Sequence, residues 1–134
     1  MPTDAVAFMR RFYELSVQGD EECWEYWADD AVSVAPPDWP EQGEQHGREQ
    51  VRKGFEAWRN VFGEGWWEGI GAESVSELPD GRVLVEVTLD FTGDRSGAPV
   101  RQDTAAIYTL REDKIVRAEH FMDRAQARAL AGLT

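Results

Sequence analysis

Few side chains of this 134-residue chain could carry out chemistry on a small molecule: it has two histidines, His46 and His120, and one cysteine, Cys23. An imidazole gives or takes a proton near neutral pH, so His120, in a segment of strand-like alternation, is the first candidate for acid–base chemistry. The alternative is a structural histidine whose nitrogens bond to a hydroxyl, water or backbone group. His46 is interpreted as a solvated loop residue and Cys23 as a small buried hydrophobe.

No metal site or cofactor is predicted. Both histidines with Asp38, Glu41 or Glu44 could supply a two-histidine, one-carboxylate set, but neither histidine occurs in an H-x-H or H-x-x-x-H spacing. The chain has no G-x-S-x-G nucleophile motif, no phosphate loop and no dinucleotide fingerprint. Any catalysis would therefore use the protein's own side chains.

The charge balance excludes several classes of partner. There are 26 acidic and 14 basic residues, a net charge of −12, whereas nucleic acids and anionic membranes attract clustered Lys and Arg. No apolar run approaches the roughly 18 residues of a membrane span, and the N-terminus lacks the features of a signal peptide. One cysteine cannot form an internal disulfide, so we expect a single domain over residues 1–134 in the cytoplasm.

The elements that would position His120 follow from hydrophobic periodicity. Helices are predicted after a Thr3 cap, over 21–28 behind an Asp20 cap, and over 48–62. Alternation predicts a short strand at 32–34, longer strands at 67–78, 83–91, 102–110 and 114–122, and a final short helix after Asp123. This order predicts an α+β domain, in which N-terminal helices cover one face of a curved antiparallel sheet and close it into a cone with an internal pocket.

Several segments resemble the SnoaL-like branch of the nuclear transport factor 2 superfamily. They are YWADDAV at 26–32, DWPE at 38–41, GREQV at 47–51 and FMDRAQA at 121–127, and their order and spacing agree over almost the whole chain. The resemblance implies a single SnoaL-like domain with a cystatin-like cone, and a homodimer formed through the convex face of the sheet. That superfamily includes isomerases, cyclases, epoxide hydrolases, dehydratases and non-catalytic binding proteins, so the reaction must be argued from the site.

The best-known catalytic groups of that superfamily are absent from this chain. The resemblance puts Ala35 at the position of the Asp base of ketosteroid isomerase, and Phe12 and Ala106 at its oxyanion-hole Tyr and Asp. The Arg and Asp of limonene epoxide hydrolase correspond approximately to Val85 and Val87. SnoaL-like cyclases commonly have a His at the position of Ala106. A different reaction, or none, is therefore expected.

The resemblance also implies which strand residues face the pocket. These are Ala118, His120 and Met122 on the last strand and Gln102, Thr104, Ala106 and Tyr108 on its neighbour. His120 is the predicted catalytic acid or base, and Tyr108, with Thr104, would donate hydrogen bonds to a carbonyl or developing oxyanion. The predicted substrate-binding residues are Phe12, Trp27, Trp39, Phe55, Trp58, Val85, Val87, Thr104 and Met122.

Two classes of function fit these residues. One is a cofactor-free acid–base enzyme (an isomerase, cyclase, dehydratase or hydrolase) acting on a hydrophobic substrate. The other is a non-catalytic small-ligand-binding protein or a dimeric interaction module of the same fold. The expected partners are a hydrophobic small molecule and a second copy of the chain, with no nucleic acid and no membrane.

The tryptophans leave two interpretations open. Trp39 lies between prolines in a loop that is either held in place by packing of its indole or acts as a lid over the pocket. The tryptophans as a group either line the pocket or fill the core.

Overall fold

The computed structural model describes residues 4–35, 43–62, 70–92 and 99–132. The elements in chain order are α1 (Ala5–Val17), a 3-10 helix (Glu21–Tyr26), β1 (Trp27–Val34), β2 (Glu44–His46), α2 (Arg48–Phe62), β3 (Ile70–Glu77), β4 (Val83–Thr92), β5 (Pro99–Arg111), β6 (Lys114–Phe121) and α3 (Arg124–Leu130). The strands form one sheet in the order β2-β1-β6-β5-β4-β3. All neighbours in it are antiparallel except β1 and β6, which are parallel.

The predicted α+β architecture is confirmed. The apolar stripe that predicted a helix over 48–62 forms α2 with those bounds, and the alternating segments form β4, β5 and β6. The predicted start of β3 at residue 67 lies outside the described residues, as does the predicted Thr3 cap. The N-cap of α1 is instead Asp4, whose carboxylate accepts hydrogen bonds from the backbone N–H groups of Val6 and Ala7.

The helix predicted over 21–28 begins where expected, but it is a 3-10 helix and it ends two residues earlier. Asp20 caps a 3-10 helix that ends at Tyr26, and Trp27 already belongs to β1, where it pairs with Ile115 of β6. The Trp27 side chain is fully buried, and its carbonyl oxygen accepts two hydrogen bonds from the Arg48 guanidinium. These long-range contacts outweigh the helical spacing of a short segment, since local propensity is a weak determinant beside tertiary packing. The strand predicted at 32–34 therefore begins earlier, and β2 was not predicted.

Each face of the sheet has its own hydrophobic cluster. The face toward α1, here called the inner face, carries alternate residues of β4 together with helix residues: Val83, Val85, Val87, Leu89, Met9, Phe12 and Leu15. On the opposite, outer face, Ala127 and Ala131 at the α3 end of the chain form a cluster with Ile107 and Phe121. No helix within the described ranges is both long and apolar enough to cross a membrane.

A charged cluster fastens α3 to the outer face. Arg124 donates through Nε to the carbonyl oxygen of Thr104 at 3.1 Å and through Nη2 to that of Val87 at 3.0 Å. The same Nη2 lies 2.9 Å from the Glu73 carboxylate. Glu86 pairs with Arg124 at 3.4 Å and with Arg128 at 2.7 Å. Arg124 therefore connects α3 with β3, β4 and β5 in one side chain.

Arg124→Lys should lower the free energy of unfolding by about 2 kcal/mol, because one ammonium cannot serve two carbonyls and a carboxylate as a planar guanidinium does. Arg128→Lys is the matched control. Its side chain is 51% exposed and bonds only to Glu86 among the described residues, so the expected loss is below about 1 kcal/mol. Urea unfolding followed by circular dichroism measures both, and equal losses would contradict the role given to Arg124.

Candidate functional site

A cavity of about 90 Å³ lies between the inner face of the sheet, α1, the 3-10 helix and α2. Both predicted catalytic residues, His120 and Tyr108, line it. Five of the predicted substrate-binding residues also line it: Phe12, Phe55, Val87, Thr104 and Met122. The cavity is smaller than the roughly 150 Å³ that accommodates a benzene ring in a protein core. It therefore fits a small ring or one end of a larger molecule.

The other predicted substrate-binding residues do not belong to the described cavity wall. Trp27 and Val85 are fully buried in the core. Trp27 packs edge-on against Phe12, with ring centroids 5.9 Å apart, and at 6.0 Å from Phe55. Trp27 therefore packs against two residues of the cavity wall, Phe12 and Phe55, without lining the cavity. Trp39 lies outside the described residues, and so does the side chain of Trp58.

His120 reaches the cavity because alternate residues of β6 face inward, as the fully buried Ala118 does. Its Nε2 lies 3.3 Å from the Ser33 hydroxyl on β1. Its ring packs edge-to-face on Phe55 and Tyr108, at centroid distances of 5.7 Å and 6.4 Å. Burial lowers the pKa of His120 to about 4, because removal from water disfavours the charged imidazolium. At neutral pH the imidazole is therefore uncharged.

Two tyrosines that line the cavity meet through their hydroxyl groups. Tyr13 of α1 and Tyr108 of β5 are hydrogen-bonded through their phenol oxygens at 2.7 Å, and their rings meet at 85°. Burial raises the pKa of both phenols, and the neighbouring Tyr108 raises that of Tyr13 further. Both groups are therefore neutral hydrogen-bonding phenols at physiological pH.

Sequence reasoning missed two of these polar residues, Tyr13 and Ser33. Helical spacing placed Tyr13 next to Phe12 on the apolar side of α1, which is the signal that could have identified it. The sequence does not show that α1 crosses β5 at Tyr108, 95 residues away. Ser33 lies on the strand that pairs in parallel with β6, a pairing that the meander pattern did not predict.

The remaining candidates lie elsewhere or are already bonded. The imidazole of His46 is 66% exposed and lies 3.2 Å from the Glu44 carboxylate at the surface. Cys23 lines the cavity, and burial raises the pKa of its thiol. The Ser16 hydroxyl donates to the Phe12 carbonyl oxygen at 2.8 Å. Across the described ranges, no three His, Cys, Asp or Glu side chains are grouped to hold a metal ion. The site thus offers neutral hydrogen-bonding groups in an apolar wall.

Comparison with known proteins identifies relatives of this fold. A family model described as a SnoaL-like domain matches residues 9–118. Among curated protein sequences, none matches the chain. A nuclear transport factor 2-like protein of unknown function from Burkholderia pseudomallei superposes with a TM-score of 0.74 at 16% identity, covering 97% of this chain and 98% of that one.

Two further solved structures are of proteins with a named ligand or reaction. TerC, co-crystallized with polyporic acid, superposes with a TM-score of 0.71 at 19% identity, covering 95% of this chain and 97% of that one. SalBIII is described as an epoxide hydrolase/cyclase-like enzyme in pyran ring formation in the polyether salinomycin. It superposes with a TM-score of 0.69 at 21% identity, covering 86% and 87% of the two chains. At these identities the likeness establishes the fold alone.

His120→Gln should flatten the dependence of stability on pH. The folded-state pKa of His120 is lowered from 6.5 to about 4, so the unfolded chain binds this proton more readily. The free energy of unfolding is therefore highest above pH 6.5, where the ring is neutral in both states. It falls by roughly 3 kcal/mol at most as the pH decreases from 6.5 to about 4, because the unfolded chain takes up the proton first. Urea unfolding across this window compares wild type with His120→Gln, and His46→Gln is the control for an exposed histidine. Parallel curves for wild type and His120→Gln would refute the burial effect.

Proposed function

The chain belongs to the SnoaL-like family, and we propose that it binds a small apolar molecule in its cavity and moves a proton on it without a cofactor. One observation carries this proposal: Tyr108 and His120, whose ring centroids are 6.4 Å apart, are neighbouring polar groups in a mainly apolar cavity wall. Apolar walls with a few placed polar groups are typical of small-molecule sites.

The charges of the protein favour a neutral ligand. The net charge is −12, so an anionic substrate would be repelled on approach. The polar groups on the described cavity wall are neutral phenols, an uncharged imidazole, hydroxyls and a thiol, and none of them would balance a ligand charge. A small ring, or one end of a larger molecule, that carries one oxygen atom has the size and chemistry that such a wall accommodates.

The proposed reaction is proton transfer next to a carbonyl group. The Tyr108 hydroxyl donates to the carbonyl oxygen, and the neutral imidazole of His120 takes a proton from the adjacent carbon. The electron pair of the C–H bond moves into the C–C bond and the oxygen becomes an enolate oxygen, which the phenol stabilises. In a substrate with a β,γ double bond, the enolate is a dienolate, and return of the proton from the imidazolium to its γ-carbon moves the double bond and completes an isomerisation.

Binding without turnover is the second candidate, and the pKa of His120 favours it. A general base is most effective when its pKa is close to the working pH, and a pKa of about 4 makes this imidazole a weak base. His120, with the Ser33 hydroxyl at its Nε2, would then orient a ligand by hydrogen bonding. TerC, which is co-crystallized with polyporic acid, supports small-molecule binding by this fold in general.

The homodimer and the cytoplasmic location remain predictions. In the described structure, α3 and Ala131 already cover the outer face around Ile107 and Phe121. A dimer through that face would therefore use the part of the sheet that α3 leaves open. Light scattering on the purified protein measures the oligomeric state.

Cyclopentanone in D₂O tests both candidates with one probe. Chemical shifts of the ¹⁵N-labelled protein report binding, and the loss of the α-proton signal of the ketone reports proton transfer. For an acid–base enzyme, wild type should exchange these protons about a hundredfold faster than His120→Gln. The rate should fall as the pH is lowered through about 4, because protonation removes the base.

His46→Gln is the control and should exchange as fast as wild type. Binding of cyclopentanone with equal exchange in wild type and His120→Gln would establish the non-catalytic candidate. Absence of binding would contradict both candidates, because each requires this cavity to accept a small oxygen-bearing ring.

A further inference from the structure

The Tyr13–Tyr108 hydroxyl pair has one more proton than its shared hydrogen bond uses. A phenol has a single O–H donor, so two phenols bring two protons and the 2.7 Å bond between them takes one. Among the described residues, neither hydroxyl has a second hydrogen-bond partner. A buried hydroxyl that donates to nothing is costly, so the second proton needs an acceptor.

The cavity can supply this acceptor. Both tyrosines line it, and their side chains are otherwise enclosed, with relative exposures of 9% for Tyr13 and 2% for Tyr108. Phe12, which has no polar side-chain atom, packs edge-on against both rings, at 5.5 Å from Tyr13 and 6.2 Å from Tyr108. An oxygen atom of a bound molecule would supply the acceptor that Phe12 does not.

The surroundings of the two phenols are unequal. Tyr108 packs against the second polar group of the cavity, His120, at a centroid distance of 6.4 Å, whereas Tyr13 lies on α1 and bonds to Tyr108. Either phenol could donate in the shared hydrogen bond, and the ring contact of Tyr108 with His120 fits a chain of donation that runs from Tyr13 to Tyr108.

Building on the proposed binding function, we propose that Tyr13 is a specificity-determining positioning residue. It donates its proton to Tyr108, and Tyr108 is thereby left with one proton that must go to the ligand. The pair selects molecules that present a neutral acceptor oxygen (a carbonyl, epoxide or ether oxygen) on a small apolar ring. A hydrocarbon ring of the same shape leaves the Tyr108 proton without a partner and is rejected.

Cyclopentanone and methylenecyclopentane form a matched pair of probes, because C=O and C=CH₂ have similar shape and only the ketone accepts a hydrogen bond. Titration of the ¹⁵N-labelled protein with each gives two dissociation constants. Wild type should bind the ketone about tenfold more tightly. Tyr108→Phe should reduce this preference to about twofold or less, and Tyr13→Phe should weaken it but leave the ketone favoured.

The third tyrosine of the chain, Tyr26, provides the matched control. Its ring packs on Phe8 at 4.8 Å and does not belong to the described cavity wall. Tyr26→Phe should therefore keep the wild-type preference. A loss of affinity for both probes in equal proportion in Tyr13→Phe would show a merely structural role and overturn the proposal.

The wild-type measurement distinguishes a failure of the proposed function from a failure of the selection by the tyrosine pair, even where a variant does not fold. If neither probe binds, the proposed function itself fails. If both bind equally well, the cavity binds ligands as proposed but the selection by the tyrosine pair is overturned. If Tyr13→Phe abolished the preference for the ketone and Tyr108→Phe kept it, Tyr13 would be the donor to the ligand. That result would also overturn the proposal.

Discussion

Within the described ranges, the contact that joins the largest number of elements around the site is the guanidinium of Arg124, which connects α3 with β3, β4 and β5 on the outer face of the sheet. It bonds to the carbonyl oxygens of Val87 and Thr104, which are directly opposite each other on β4 and β5. The side chains of the same two residues line the cavity on the inner face. One cation on the outside thus fixes the backbone that carries part of the ligand-binding wall, and its hydrogen bonds to carboxylates hold it there.

The distribution of charge separates the surface from the cavity. The chain carries a net charge of −12, and ion pairs such as Arg11–Glu14 and Arg111–Asp30 join exposed side chains. The cavity instead contains groups that burial keeps neutral: the imidazole of His120 and the phenols of Tyr13 and Tyr108. Neutral groups in an apolar wall recognise a ligand by the direction of hydrogen bonds and not by charge, which limits both the ligand class and the chemistry.

Sequence reasoning was most successful where a residue's position depends on local periodicity. The alternation along β4, β5 and β6 predicted the fold, and the resemblance oriented His120, Tyr108 and Thr104 inward. It failed where position depends on which segments meet. The segment around Trp27 has helical spacing but is drawn into β1 by pairing with β6, and Tyr13 became a polar site residue only through contact with Tyr108. The residue pattern within one helix or strand does not show which distant segments that element will contact.

The two polar contacts of the cavity have a consequence for how the protein folds. The bond between Tyr13 and Tyr108 spans 95 residues, and that between Ser33 and His120 spans 87. The hairpins from β3 to β6 close over short distances, whereas these contacts, like the β1–β6 pairing, require the two ends of the chain to meet. Such long loops are slow to close, because their entropy is lost before the contacts form. The polar contacts of the cavity therefore form late in folding. They are intact only when both ends of the chain have folded together.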